Sequence, residues 1–178
     1  MTVDCGDGDA RRSLTSFDPP ARVNARMADP VVHASQLIRR PAGEVFAAFV
    51  NPQTLRKFWL RDATGPLGPR ARVRWDFMVP GATADVVVTQ FEAPHRLGFD
   101  WPDMHVEMAF EVVDKTATRV EVAVSNLGTA DVLAKATTTI EGFAIVLCDL
   151  KTLLETGESA GLVRDKAELI TRSMNRDA

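Results

Sequence analysis

Few side chains in this sequence stand at a spacing suited to acid–base, nucleophilic or metal chemistry. The three histidines, His33, His95 and His105, and the two cysteines, Cys5 and Cys148, are scattered along the chain and form no metal-ligand spacing. Cys148 has no nearby histidine or cationic partner in sequence, and a buried cysteine in a helix is usually inert. No glycine-rich phosphate loop is present. The sequence therefore predicts no catalytic residue, no metal ligand and no cofactor.

Asp100 and His33 are the exceptions that keep an enzymatic alternative open. Asp100 lies between Phe99 and Trp101, and the alternation of that segment places it on the solvent face unless a β-bulge turns it inward. His33 lies in a short strand whose orientation the sequence does not assign. A cyclase or hydrolase that uses one of these two groups remains an alternative function.

The elements that would position any site begin with a β-branched strand, Val31 to Ile38. A helix follows, opened by Pro41 and ended by Asn51-Pro52, and then a second short helix, "PQTLRKFWL". After a "TGPLGP" loop, an antiparallel meander is predicted from "RVRWDF", "ADVVVTQFE", "RLGFDW", "MHVEMAFEV" and "TRVEVAVS".

The period-two alternation of the meander predicts one buried and one solvated face. On the solvated face, His105, Glu107 and Glu111 share one parity, and Arg119 is expected to pair with Glu111 across neighbouring strands.

A final long helix is predicted from about Asp131 to Glu155. Its apolar residues follow the i, i+3, i+4, i+7 pattern, which is typical of a helix that lies across a sheet. The expected inward stripe comprises Ile140, Phe143, Ala144, Leu147, Leu150 and Leu154, widened by Val146 and Leu153. Ile145 and Cys148 are expected on the outer side among Glu141, Asp149 and Thr152.

Length and composition predict one domain with a substantial core, since 46% of the 178 residues are hydrophobic. Residues 1–30 are expected to be a flexible tail, within which Met27 is an alternative start. Residues 31–159 are expected to form the domain, and residues 160–178 an extension with a short helix.

A net charge of -3 argues against nucleic acid as a partner. No apolar run reaches the roughly 20 residues of a membrane span, and no signal peptide is evident, so a cytoplasmic location is expected.

Three stretches resemble the START-like (SRPBCC) superfamily, in the branch related to the activator of the heat-shock chaperone ATPase. They are "RPAGEVFAAFVNPQTLRKFW", "FEAPHRLGFDW" and "EGFAIVLCDLKTLLETGES", in the order and spacing of that family. Two positions depart from the pattern, because Phe143 and Leu60 stand where tryptophans are usual.

The resemblance implies an α+β helix-grip fold, in which a curved antiparallel sheet wraps around the long C-terminal helix and two short helices follow the first strand. It also implies a cavity between that helix and the sheet. Since no acid or base is expected among the inward-facing residues, the predicted function is non-catalytic binding of a small apolar or amphipathic molecule. The alternative is an interaction module that regulates a chaperone ATPase, with a chaperone or a second copy of the chain as partner. The residues expected to line the cavity are Trp75, Phe77, Phe99, Trp101, Met104, Met108, Phe110, Phe143 and Leu147.

Overall fold

The computed structural model describes residues 30–128 and 130–176. The expected N-terminal tail, except for Pro30, lies outside the described residues. The elements are β1 (Val32–Ile38), α1 (Ala42–Val50), α2 (Pro52–Phe58), β2 (Leu60–Ala63), β3 (Arg72–Phe77), β4 (Thr83–Glu92), β5 (Arg96–Trp101), β6 (Met104–Asp114), β7 (Ala117–Ser125), α3 (Val132–Thr156) and α4 (Leu162–Met174).

The seven strands form one antiparallel sheet in the order β1-β7-β6-β5-β4-β3-β2. β1 pairs with β7, so the first strand forms one edge of the sheet next to the last strand, and β2 forms the other edge. The alternation seen in the sequence sets the register, since Leu97 lies opposite Met108 and Phe110 opposite Val120, all buried. The predicted α+β helix-grip fold is confirmed.

The opposite face of the sheet carries the charged residues, as the alternation predicts. Glu111 and Arg119 are register partners on β6 and β7, and the Arg119 guanidinium donates to a Glu111 carboxylate oxygen at 3.0 Å. Arg119 also lies 2.8 Å from Glu121, whose carboxylate is 3.3 Å from the His33 ring. His33 therefore faces outward, away from the helices.

One strand was not predicted. The sequence interpretation continued the second helix through Leu60, whereas α2 ends at Phe58 and Leu60 begins β2. The apolar run Phe58-Trp59-Leu60 fits a helical face and a short strand equally well. In the structure all three side chains are buried, and Trp59 is the residue that joins the end of α2 to the start of β2.

The buried face of α3 differs from the predicted stripe. Phe143, Val146, Leu147, Leu150 and Leu153 are buried, but Ile140 is 40% exposed and Ala144 is exposed. α3 lies mainly against β1, with β7, α2 and α4 as further neighbours. The prediction for Ile140 and Ala144 was wrong because the buried face of the helix, which Phe143, Val146 and Leu153 define, is rotated away from both residues. No helix within the described residues is long and apolar enough to span a membrane.

The segment after Gly161 forms α4, which packs on α3. Asp149, expected on the outer side of α3, is 1% exposed beneath this contact. Its carboxylate accepts hydrogen bonds from the Ser159 hydroxyl at 2.7 Å and from the Val163 backbone N–H at 3.2 Å. Asp149 thus satisfies a donor that the first turn of α4 leaves free, as an N-cap side chain would.

Candidate ligand-binding site

Six aromatic side chains form a cluster between strands β3 and β5 of the sheet and the middle of α3. Trp75 is fully buried and makes edge-to-face contacts with Trp59 (ring centroids 4.9 Å apart) and Phe99 (5.3 Å). Trp101 stacks on Phe143, with centroids 5.9 Å apart and 19° between the ring planes. The cluster comprises Trp59, Trp75, Phe77, Phe99, Trp101 and Phe143.

A cavity of about 330 Å³ lies against this cluster. Its sheet wall comes from the end of β3, the β3–β4 turn and the β5–β6 hairpin; its helical wall comes from α3 and α4. The volume is at the lower end of the roughly 300–1,000 Å³ that small-molecule sites occupy. The lining residues are Trp59, Phe77, Met78, Val79, Ala82, Trp101, Met104, Thr138, Thr139, Gly142, Phe143, Ile145, Val146, Val163, Lys166, Ala167 and Ile170.

Four of the nine residues that the sequence nominated line this cavity: Phe77, Trp101, Met104 and Phe143. The other five, each no more than 2% exposed, belong to the filled core beneath it. They are Trp75, Phe99, Met108, Phe110 and Leu147.

The alternation in the sequence predicted which face of the sheet is buried. It could not predict which part of that face packs against other side chains and which part borders the cavity. Phe46 and Phe49 of α1 pack edge-to-face on Phe110, with centroids 5.2 and 5.8 Å away, and leave no space there. The cavity remains at the end of the sheet that α1 does not cover.

Sequence reasoning missed the contribution of α4 to the cavity. Val163, Lys166, Ala167 and Ile170 recur at i, i+3, i+4 and i+7, which is the spacing of one helical face. That signal was present in the sequence, but the segment lay beyond the family resemblance. Ile145 was also misplaced, since it lines the cavity instead of facing outward on α3.

The lining carries few polar side chains. The Thr138 hydroxyl donates to the Ala134 carbonyl of its own helix at 3.0 Å, and the Thr139 hydroxyl lies 3.9 Å from the Met104 sulfur. The Lys166 ammonium donates to Glu141 of α3 at 2.6 Å. Lys166 is the single charged residue that the structure places in the lining.

Two indole N–H groups of the aromatic cluster, those of Trp75 and Trp101, are buried without an acceptor among the described residues. An unpaired buried donor costs about 1–3 kcal/mol. Since the Trp101 N–H is inaccessible to water, it is not part of the polar lining of the cavity.

The groups considered for catalysis lie elsewhere. Asp100 is exposed on the outer sheet face, where one of its oxygens is 2.5 Å from the His105 Nδ1. Glu107 lies 3.4 Å from the other ring nitrogen. The hydrogen bond to Asp100 raises the pKa of His105 above its usual 6.5, with a smaller contribution from Glu107. Neither this cluster nor His33 contributes to the cavity lining.

Cys148 is half-buried beside β1 and is also outside the lining. Its sulfur accepts a hydrogen bond from the Gln36 amide at 3.4 Å. Among the residues that the structure describes, no histidine or cation forms a hydrogen bond with this sulfur.

Comparison with known sequences gives one family. The sequence model of the Activator of Hsp90 ATPase homolog 1-like proteins matches residues 39–155, so the match ends before α4. No protein of curated function matches the chain.

Solved structures share the fold at low sequence identity. SSP2350 from Staphylococcus saprophyticus has a TM-score of 0.66 and 21% identity, over 73% of this chain and 95% of that one. The Aha1 dimer subunit from Colwellia psychrerythraea has a TM-score of 0.63 and 20% identity, over 73% and 99%. DynU16, a protein in the dynemicin biosynthetic locus, has a TM-score of 0.66 and 23% identity, over 74% of this chain and 49% of that one. These similarities concern the fold alone.

Proposed function

This chain belongs to the family of Activator of Hsp90 ATPase homolog 1-like proteins, and from that membership and the cavity we propose that it binds a small apolar or amphipathic molecule without transforming it. The observation that supports this proposal is a cavity of about 330 Å³ with a predominantly apolar lining. Such a space, lined by aromatic and aliphatic side chains with a few polar groups, is the usual form of a small-molecule site.

The cavity is additional to the core. Trp75, Phe99 and Leu147 are already fully packed beneath it, so the domain does not need the space to be filled in order to bury its sheet. Met78 and Met104 in the wall are flexible and polarisable, and such side chains adapt to ligands of different shapes.

The absence of turnover is proposed from the chemistry of the lining. General acid–base catalysis needs a positioned group that exchanges a proton with the substrate. Within the described lining only Lys166 has an ionisable side chain, and it forms an ion pair with Glu141. Asp100 and His105 face the opposite side of the sheet.

Gly142 allows the proposal to be tested without placing a charge in the core. A Cβ added at Gly142 would meet no atom within 4 Å, and the residue lines the cavity from within α3. Gly142→Leu should therefore fill the cavity, while replacing a helical glycine favours the helix by roughly 0.5–1 kcal/mol. Ala144→Leu adds an apolar side chain to the same helix at an exposed position outside the lining.

The experiment is a fluorescence titration with the neutral apolar probe N-phenyl-1-naphthylamine. The parent protein and Ala144→Leu should bind about one probe per chain, and Gly142→Leu should bind it much more weakly while melting at the same or a higher temperature. Equal binding by all three proteins, or no binding by the parent, would count against the proposal.

Contact with a chaperone is a second candidate function, suggested by the family name and by one surface of α3. Leu133 is 81% exposed and Ile140 40% exposed, and with Ala144 they share one helical face at i, i+7 and i+11. Leu133→Glu combined with Ile140→Glu should abolish any stimulation of Hsp90 ATP hydrolysis by this chain, while probe binding persists. If the parent chain gives no stimulation, this candidate is excluded for the Hsp90 tested.

A further inference from the structure

The charge distribution around the cavity indicates which class of molecule it takes. We propose that the ligand is an amphipathic monocarboxylic acid, with an apolar body against the aromatic cluster and its carboxylate on Lys166. This inference rests on the proposed function and specifies the ligand of the same cavity.

Lys166 has donors to spare. A lysine ammonium carries three N–H donors and no acceptor. Within the described residues its one hydrogen-bond partner is Glu141, and the Lys166 side chain remains 35% exposed. Two of its donors are thus available to an acceptor at the edge of the cavity.

The rest of the described lining carries no negative charge that would repel an anion. Its other polar side chains are Thr138 and Thr139, and no carboxylate lines the cavity within the described residues. Glu141 is 49% exposed outside the lining and is, in the described part of the chain, the one acidic group that forms an ion pair with Lys166. A cationic head group would meet the ammonium as a like charge, whereas a carboxylate would gain a charge-assisted hydrogen bond.

A single ammonium matches a monoanion best. Lys166 contributes one positive charge, which Glu141 already shares, so a doubly charged phosphate would keep most of its charge unpaired. Arg164, on the adjacent face of α4, does not line the cavity and cannot supply a second cation to it. A carboxylate places one negative charge and two acceptor atoms at the position of the free donors.

The test uses two probes of nearly the same shape, 2-naphthoate and its neutral counterpart 2-naphthamide, titrated by calorimetry at low ionic strength. The parent protein should bind naphthoate more tightly than naphthamide. Lys166→Met should weaken naphthoate about three- to tenfold, as expected for a partly exposed charge-assisted contact, and should leave naphthamide unchanged. Arg164→Met, which removes a cation of the same helix, should bind both probes as the parent does.

Glu141→Gln separates ligand recognition from mere disruption of the ion pair. Lys166→Met and Glu141→Gln break the same contact between α3 and α4, so a structural effect would weaken naphthoate in both variants. If Lys166 holds the carboxylate, Glu141→Gln should instead strengthen naphthoate by about twofold or more, because it removes a competing anion. Adding salt should reduce that gain.

Two kinds of failure are distinguishable. Equal binding of naphthoate and naphthamide, with Lys166→Met indistinguishable from the parent, would overturn the acid assignment and leave the cavity as a site for neutral molecules. A naphthoate affinity lowered by both Lys166→Met and Glu141→Gln would also overturn it. Binding of neither probe would overturn the proposed function and this inference together.

Discussion

Phe143 of α3 stacks on Trp101 of β5 with ring centroids 5.9 Å apart and 19° between the planes. This contact joins the long helix to the sheet at the edge of the cavity, since both rings line it. Beneath the pair, Trp75 fills the core; beside it, the cavity is open. The helix therefore covers a packed core from Leu147 onward and lines the cavity with residues between Thr138 and Val146.

The first prediction concerns Phe143. Phe143→Trp should leave the melting temperature within a few degrees of the parent, because the larger ring can extend into the cavity, and should weaken the neutral probe by filling that space. Phe143→Ala should lower the free energy of unfolding by about 3–5 kcal/mol, the usual cost of removing a buried phenyl ring. Thermal melting measures the first effect, a probe titration the loss of binding, and urea denaturation the free energy of unfolding of Phe143→Ala. A strongly destabilised Phe143→Trp protein would show that the wall has no room beside residue 143.

The second prediction concerns the attachment of α4. Asp149→Ala should destabilise the protein by about 1–3 kcal/mol, because the Ser159 hydroxyl and the Val163 N–H lose their acceptor. Hydrogen exchange should increase first in the amides of α4, and probe binding should weaken since α4 forms one wall.

Asp165→Ala is the matched control, as Asp165 lies in the first turn of α4 but is exposed. It should cost only a few tenths of a kcal/mol through the helix dipole. Unchanged exchange of α4 in Asp149→Ala would contradict the assigned role of Asp149.

The third prediction concerns pH. The pKa of His105 is raised in the folded state, mainly by its hydrogen bond with Asp100, so the protonated ring stabilises the fold. That contribution is fully present below about pH 6.5, the usual value for histidine, and is lost as pH rises through the higher folded pKa. The urea midpoint of the parent relative to His105→Gln should therefore fall across this interval.

An NMR titration of the ring protons provides the direct check on His105. Its midpoint should lie above 6.5 in the parent and should move down in Asp100→Asn, since the largest cause of the shift is then removed. A midpoint unchanged by Asp100→Asn would refute the pairing.

The sheet was predictable from the sequence because its alternation is regular. Trp75, Phe99 and Phe110 were expected inward and are buried, and the Glu111–Arg119 pair forms across β6 and β7 as expected. The pattern reports only which face a side chain occupies, so it could not separate a residue in the packed core, such as Met108, from one at the cavity, such as Met104.

The helical layer was predictable only in part because its neighbours were not known. Asp149 was expected in solvent, since nothing in its own helix shows that α4 packs over it. Ile140 was expected inside because its spacing matches the predicted stripe, yet the buried face of α3 is rotated toward Val146 and Leu153 and leaves Ile140 40% exposed. The sequence did not predict Lys166 as a lining residue, because residues 160–178 lie beyond the family resemblance and were expected to form an extension of the domain.

The measurement that tests the cavity most directly is a titration with N-phenyl-1-naphthylamine followed through ¹³C-labelled methionine methyl groups. Met78 and Met104 line the cavity, Met108 is 2% exposed in the core, and Met174 is exposed at the end of α4. A small molecule in the cavity should shift the Met78 and Met104 signals along one saturable curve and leave Met108 and Met174 nearly unchanged. Shifts confined to Met174, equal shifts of these four methionine signals, or no shift of any of them would contradict the account.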